Sequence, residues 1–211
     1  LGQYEEALGY YQDAFVILQD IGDRFGEGVT LNNIGLVYDN LGQYETALGF
    51  LQDALVISQE IGDRAGEGVT LNNIGLVYHN LGQYEVALGF YQDALVISQE
   101  IGDRAGRALT LNNIGYILEA LTEPQLAIVF FKESVNQWEA IRGDIRGLDT
   151  ADQQAFTDSV ADPYRNLADL LLQQDRILEA QRVLDLLKVQ DLDEYLDGVR
   201  STAATQRGVD P

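Results

Sequence analysis

A forty-residue unit written three times over governs what this chain can fold into. Leu1, Leu41 and Leu81 each open the string Leu-Gly-Gln-Tyr-Glu, residues 1–40 match 41–80 at 32 of 40 positions, and 41–80 match 81–120 at 30 of 40. Self-similarity at a fixed period marks an array whose units fold alike and stack on one another. It also carries a warning, because a residue shared by these copies can be inherited through duplication without being selected.

Within one unit, Leu31, Ile34, Val37, Tyr38 and Leu41 recur at spacings of three and four, the signature of a helix with one buried stripe. Gly42-Gln43 breaks it. Tyr44, Ala47, Leu48, Leu51, Ala54, Leu55 and Ile61 form a second stripe, after which Gly62 supplies a left-handed C-cap and Asp63 an N-cap for the next helix. Each unit therefore reads as a helical hairpin too small to cover its own apolar faces, so neighbours must stack. The expected fold class is all-α, an α-α superhelix of antiparallel hairpins without strands.

The pattern Ile34-Gly35, Tyr38, Ala47, Leu51 and Ala54 resembles the tetratricopeptide repeat (TPR). It returns as Ile74-Gly75, Tyr78, Ala87, Tyr91 and Ala94, then as Ile114-Gly115, Leu118, Ala127, Phe131 and Ser134. Gly35 and Ala47 are expected where the two helices of a hairpin approach closely, and a larger side chain there would force strain of roughly 1–3 kcal/mol. The period exceeds the family's usual length of about 34 residues. The linker Ile-Gly-Asp-Arg-x-Gly over 61–66 resembles TPR proteins of the kinesin light chain and spindle-orientation adaptor type, which implies a partner-binding role.

At the N-terminus, Ala7, Tyr11 and Ala14 occupy the slots of a second helix with no first helix before it. Tyr4, Ala7, Leu8, Tyr11 and Phe15 are expected to lie partly bare, and weak self-association through this truncated helix follows. Past Ile141 the repeat text stops. The expected organisation is a TPR array over 1–142, an insertion with a short helix over 143–162, a degenerate TPR-like hairpin and short helix over 163–200, and a linker or tail over 201–211. Thr150 is expected as an N-cap with Gln153 completing a capping box. Asp162-Pro163 reads as N-cap and first-turn proline of the degenerate hairpin. Residues 138–196 resemble the segment that joins TPR arrays to CHAT domains, which are caspase-like peptidase folds, in bacterial proteins. That resemblance implies a larger bacterial protein with an effector domain, and a start inside a repeat with no Met reads the same way.

Thirteen Lys and Arg against 34 Asp and Glu leave a net charge of −21, which disfavours nucleic acid and anionic membrane and favours cationic or neutral protein partners. The absence of cysteine removes thiolate metal sites and thiol nucleophiles, and fits a reducing, cytoplasmic compartment. A Ser-His-Asp arrangement would need His79, whose slot holds Asp39 and Glu119 in the neighbouring copies and reads as a variable, solvent-facing position. Asp191, Asp193 and Asp197 lack the spacing of a calcium loop. The glycines between Gly62 and Gly66 follow a helix and lack the lysine of a phosphate loop. No enzyme activity, metal or cofactor is expected.

What remains is the surface lined by the first helix of each hairpin, where Thr-Leu-Asn-Asn is written three times. Asn33, Asn73 and Asn113, with Asn166 in the degenerate hairpin, match the slot of the asparagine ladder in the TPR superhelix of O-GlcNAc transferase, which implies that they hold a peptide main chain on one continuous concave face. A carboxamide offers both donor and acceptor, matching a peptide unit's carbonyl and amide without reading its side chain. The preceding Asn32, Asn72 and Asn112 belong to the same candidate site. Leu36, Leu76 and Tyr116 are expected to add apolar contact, Asp39 and Glu119 to favour basic side chains, and Arg165 an acidic one, with His79 in the same slot as Asp39 and Glu119. The expected function is a non-catalytic scaffold that binds an extended peptide or a partner helix in this groove, and the competing reading is a structural spacer or self-associating solenoid without a groove ligand.

Overall fold

The computed structural model describes residues 2–187. Among these, ten α-helices and no strand are found: α1 (Gly2–Ile21), α2 (Arg24–Asn40), α3 (Tyr44–Ile61), α4 (Arg64–Asn80), α5 (Tyr84–Ile101), α6 (Arg104–Ala120), α7 (Pro124–Asp144), α8 (Thr150–Ser159), α9 (Ala161–Gln173) and α10 (Ile177–Leu186). The chain divides into two compact units, Leu1–Ile141 and Arg142–Pro211.

In the first unit, the hairpins α2–α3, α4–α5 and α6–α7 follow the lone helix α1. The second helices α3 and α5 each bury a stripe twice, against their own first helix and against the first helix of the next hairpin. Leu31 of α2 packs on Ala54 and Ile57 of α3, while Ala47 and Leu51 of α3 pack on Ile74 and Val77 of α4. Ala87 and Tyr91 of α5 repeat the arrangement against Ile114 and Ile117 of α6. Each such aliphatic side chain contributes about 1.5–3 kcal/mol when fully buried. The stack is therefore held by contacts that no hairpin can make alone.

The small residue in each first helix is there for the reason its spacing suggests. A Cβ on Gly35 would stand 2.7 Å from Leu51 Cγ and 3.2 Å from the Ala47 carbonyl oxygen, and one on Gly115 would stand 2.5 Å from the Phe131 ring. The links between hairpins are also locally determined. Asp23, Asp63 and Asp103 accept from the backbone amides of Gly26, Gly66 and Gly106 at 2.9, 3.0 and 2.9 Å, and each such cap contributes about 0.5–2 kcal/mol. Arg24 ties Glu27 to Glu60 at 2.6 Å each, bracing the start of α2 on the end of α3, and Arg64 does the same with Glu67 and Glu100.

Within the hairpins, Gly42 and Gly82 turn the chain at φ 70° and 72°, but the third copy places Thr122 there at φ 61°. A β-branched residue in this left-handed region costs roughly 1–2 kcal/mol, of which glycine's greater freedom in the unfolded chain returns about half. Thr122→Gly is expected to raise stability by about 0.5–1 kcal/mol in urea titration. No gain would mean that the turn carries no strain.

The second unit pairs α9 with α10 as an antiparallel hairpin in which Leu167, Ala168, Leu171 and Ala180 are buried. Two helix starts differ from the sequence expectation. Asp149, rather than Thr150, caps α8, its carboxylate accepting from the Asp152 amide at 2.9 Å. A carboxylate is the stronger acceptor at the positive end of a helix. Gln153 donates to the carbonyl of Leu148 at 2.8 Å, in the segment just before the helix. α9 opens at Ala161, directly after Val160 ends α8, so Asp162 and Pro163 lie inside its first turn and do not precede it. The short helix expected within 192–200 and the tail over 201–211 lie outside the described residues.

Candidate functional site

The asparagines of the first unit come together, and they do so with one another. Asn73 Nδ2 donates to Asn32 Oδ1 at 3.0 Å, and Asn113 Nδ2 donates to Asn72 Oδ1 at 3.2 Å, so the second Asn of one copy bonds the first Asn of the copy before it. The Thr110 hydroxyl adds a bond to Asn72 Oδ1 at 3.2 Å. Asn33, at the head of the series, has no side-chain partner among the described residues, and at the far end Asn112 Oδ1 is buried without a donor. Half of the carboxamide of Asn32, Asn72, Asn73 and Asn113 is thus engaged in joining hairpins. The Nδ2 group of the earlier Asn and the Oδ1 atom of the later one take no part in these bonds, and Asn73 itself is 9% exposed.

One turn on, Leu36, Leu76 and Tyr116 are half-buried, and Tyr116 packs edge-on against Phe131 with ring centroids 5.4 Å apart. The last column departs from expectation. Asp39 is buried, and its two carboxylate oxygens accept from Asn80 Nδ2 at 2.9 and 3.1 Å. Burial pushes its carboxyl above the ordinary value, and the Asn80 bond pulls it partly back. It is therefore engaged within the stack and is not an open carboxylate. His79 is half-buried and leans on Tyr84 with ring centroids 5.7 Å apart, and desolvation lowers its pKa. Glu119 is half-buried. Arg165 and Asn166 belong to α9 of the second unit, where Arg165 is exposed and pairs with Asp162 at 3.0 Å.

Two cavities that the asparagine pattern did not reveal lie beside this column. The first, about 320 Å³, opens between α2, the end of α3 and the start of α4 against Val29, Ile61 and Val69. The second, about 120 Å³, opens between α4, α5 and α6 against Val69, Ile101 and Leu109. Asn32 and Asn33 line the first, Asn72 and Asn73 the second. One signal could have located them: position 29 lies off the buried stripe of its helix, yet it is apolar in all three copies as Val29, Val69 and Leu109.

The sequence profile described as tetratricopeptide repeat matches residues 1–60 and 66–140, well over half of the 211 residues. The chain belongs to the tetratricopeptide repeat family. No curated protein sequence matches it. Among solved structures, this TPR chain is similar to BtubC (BKLC) from P. vanneervenii, with a TM-score of 0.66 and 22% identity over 100% of this chain and 77% of that one. A kinesin light chain candidate from Podosopora anserina, built of nearly identical TPR-like repeats, gives 0.59 at 15% identity over 92% and 89%. The Rap conjugation gene regulator of plasmid pLS20, solved in complex with the Phr* peptide, gives 0.67 at 18% identity over 93% and 50%. The TPR chain thus spans about half the length of that regulator. At these identities the likeness is one of fold.

Among the described residues, no helix is long and apolar enough to cross a membrane, and no cluster of three or more His, Asp or Glu could hold a metal ion.

Proposed function

We propose that the first unit is a non-catalytic protein-interaction scaffold that takes an extended peptide along its first helices. The observation that carries this reading is the registered column of Asn32–Asn73 and Asn72–Asn113 pairs beside two cavities. Each pair offers one donor and one acceptor, as a peptide unit does. Peptide capture by the pLS20 regulator, a protein of similar fold, supports the reading. The acidic surface favours a cationic or neutral partner over nucleic acid or membrane. A cytoplasmic setting fits a chain without cysteine. The resemblance of 138–196 to CHAT-linked segments supports delivery of the captured segment to an effector domain in a larger bacterial protein.

The test is peptide display panned on the full chain, with affinities then measured on single variants. Asn33→Ala is the clean probe, because that side chain bonds nothing in the stack. It is expected to weaken selected peptides about two- to tenfold, the worth of one hydrogen bond, at unchanged melting temperature. Asn73→Ala is expected to weaken both binding and stability. Selected peptides that bind Asn33→Ala and Asn73→Ala as tightly as the parent would remove the groove from the account.

The competing reading, a self-associating solenoid, also has an observation in its favour. No residue of α1 is buried, and Tyr10, Ile17 and Ile21 are exposed. Covering about 300 Å² of this face would contribute roughly 7 kcal/mol, against association costs of about 4–15 kcal/mol. Sedimentation equilibrium is expected to show mostly monomer in dilute solution with weak, concentration-dependent dimerisation that Ile17→Lys abolishes. A tight dimer indifferent to Ile17→Lys would refute the use of this edge.

A further inference from the structure

The two cavities are copies of one another. Adding forty to Val29, Asn32, Ile57, Ile61 and Asp63 in the first lining gives Val69, Asn72, Ile97, Ile101 and Asp103 in the second. Val69 serves both, as the far wall of the first and the near wall of the second. Val29, Val69 and Leu109 remain 45%, 51% and 51% exposed, and Ile61 and Ile101 are 40% and 42% exposed, so the apolar strip runs unbroken across three hairpins. The copies differ in two lining residues. Leu109 stands in the second where Val69 stands in the first, and Ala65 where the first has Phe25 at its rim.

Resting on the groove reading above, we infer that the strip takes a basic, polyproline II-like segment with apolar side chains at every third residue, the larger in the first cavity and the smaller in the second. The spacing argument is geometric. Because α2 packs directly on α4, equivalent points of the two cavities lie one interhelical step apart, about 8–10 Å. Residues i and i+3 of a polyproline II helix point the same way about 9.3 Å apart, whereas same-face neighbours i and i+2 of a β-strand are only about 6.6–6.8 Å apart. An α-helix can match the step at i and i+7, but its backbone is already paired. The polyproline II backbone, unlike that of an α-helix, makes no internal hydrogen bonds, so it leaves carbonyl and amide groups for the free halves of the Asn pairs.

Charge points to the same ligand. Each lining holds a carboxylate, Asp63 or Asp103, whose Oδ1 accepts from the Gly66 or Gly106 amide, and neither lining holds a lysine or arginine. The nearby Arg24 and Arg64 are each engaged by two glutamates.

The experiment uses the full chain and fluorescein-labelled peptides of one composition, containing Leu, Pro and Arg, with Leu spaced at i, i+3 or at i, i+2. A third peptide replaces Arg by Glu in the i, i+3 spacing. Anisotropy is expected to show the i, i+3 basic peptide binding about tenfold or more tighter than its spacing isomer, and the acidic peptide not binding. Val69→Asp, at an exposed site shared by both cavities, is expected to weaken it at least about tenfold at unchanged melting temperature. Leu109→Val, which widens the second cavity, is expected to tighten binding of peptides with two large side chains relative to those with one large and one Ala. Equal affinity of the spacing isomers, preference for the acidic peptide, indifference to Val69→Asp, or no binding of any peptide up to about 1 mM would overturn the inference. If display-selected peptides depend on Asn33 yet ignore Val69→Asp and the spacing, this inference falls while the groove reading stands. If nothing binds through Asn33 either, both fall.

Discussion

Ile57→Ala is expected to destabilise the first unit by about 2–5 kcal/mol, while Ile17→Ala, the same substitution in the same repeat slot, is expected to cost less than about 0.5 kcal/mol. Ile57 is 5% exposed and Ile17 is 60% exposed, although both stand in matching text, Val-Ile-Leu-Gln-Asp-Ile-Gly and Val-Ile-Ser-Gln-Glu-Ile-Gly. The difference is made by the hairpin. α3 has its own first helix, α2, packed along this face, with Leu31 against Ile57, whereas α1 packs chiefly on α2, the first helix that follows it. Removing three heavy atoms from a closed face leaves a cavity, and removing them from an open one leaves water. Urea titrations of both variants, compared with the parent, give the measurement. Similar losses at the two sites would mean that α1 is covered in solution, and repeating the titration at lower protein concentration would tell whether a second copy covers it.

The hairpin order was legible because duplication repeats every signal. The C-capping glycine, the N-capping aspartate and the small residue at the close approach recur forty residues apart, so an error in one copy is corrected by the next. Where the text diverges, the boundaries slip. Asp149 and Thr150 are both competent caps, and only the chain path decides that Asp149 reaches the Asp152 amide. The candidate site was legible in position but not in partners. Asn32–Asn73, Asn72–Asn113 and Asp39–Asn80 all join residues 41 apart, which no pattern within one copy records. Asp39 was read as open because its slot varies to His79 and Glu119, yet the next copy's Asn80 bonds it. The cavities escaped notice because Val29 and Val69 sit outside the buried stripe, where single apolar residues are ordinary on a surface.

Tyr91→Phe is expected to stabilise the stack by about 1–3 kcal/mol, the cost of a buried hydroxyl left without a partner. Tyr91 is completely buried against Gly75, where a Cβ would stand 2.7 Å from its ring, and its hydroxyl has no hydrogen-bond partner among the described residues. The other copies hold Leu51 and Phe131 in this slot, both fully buried, so the position asks for volume and shape and not for an oxygen. Burial first, and the Asp39 carboxylate second, push the phenol's pKa above its ordinary value of 10.0. The sign follows from linkage: a group whose folded pKa is raised contributes stability that is present below its unfolded value and lost as pH rises above it. The parent should therefore lose stability above about pH 10 by one phenol more than the variant does, and the gap between them should widen there. The remaining tyrosines titrate alike in both proteins and cancel from the difference. Thermal unfolding at pH 7 and at pH 10.5–11 reads both effects. A Tyr91→Phe protein that melts below the parent at neutral pH, with a gap that does not move at alkaline pH, would show that the hydroxyl is bonded in solution and that its oxygen is part of how the second and third hairpins are joined.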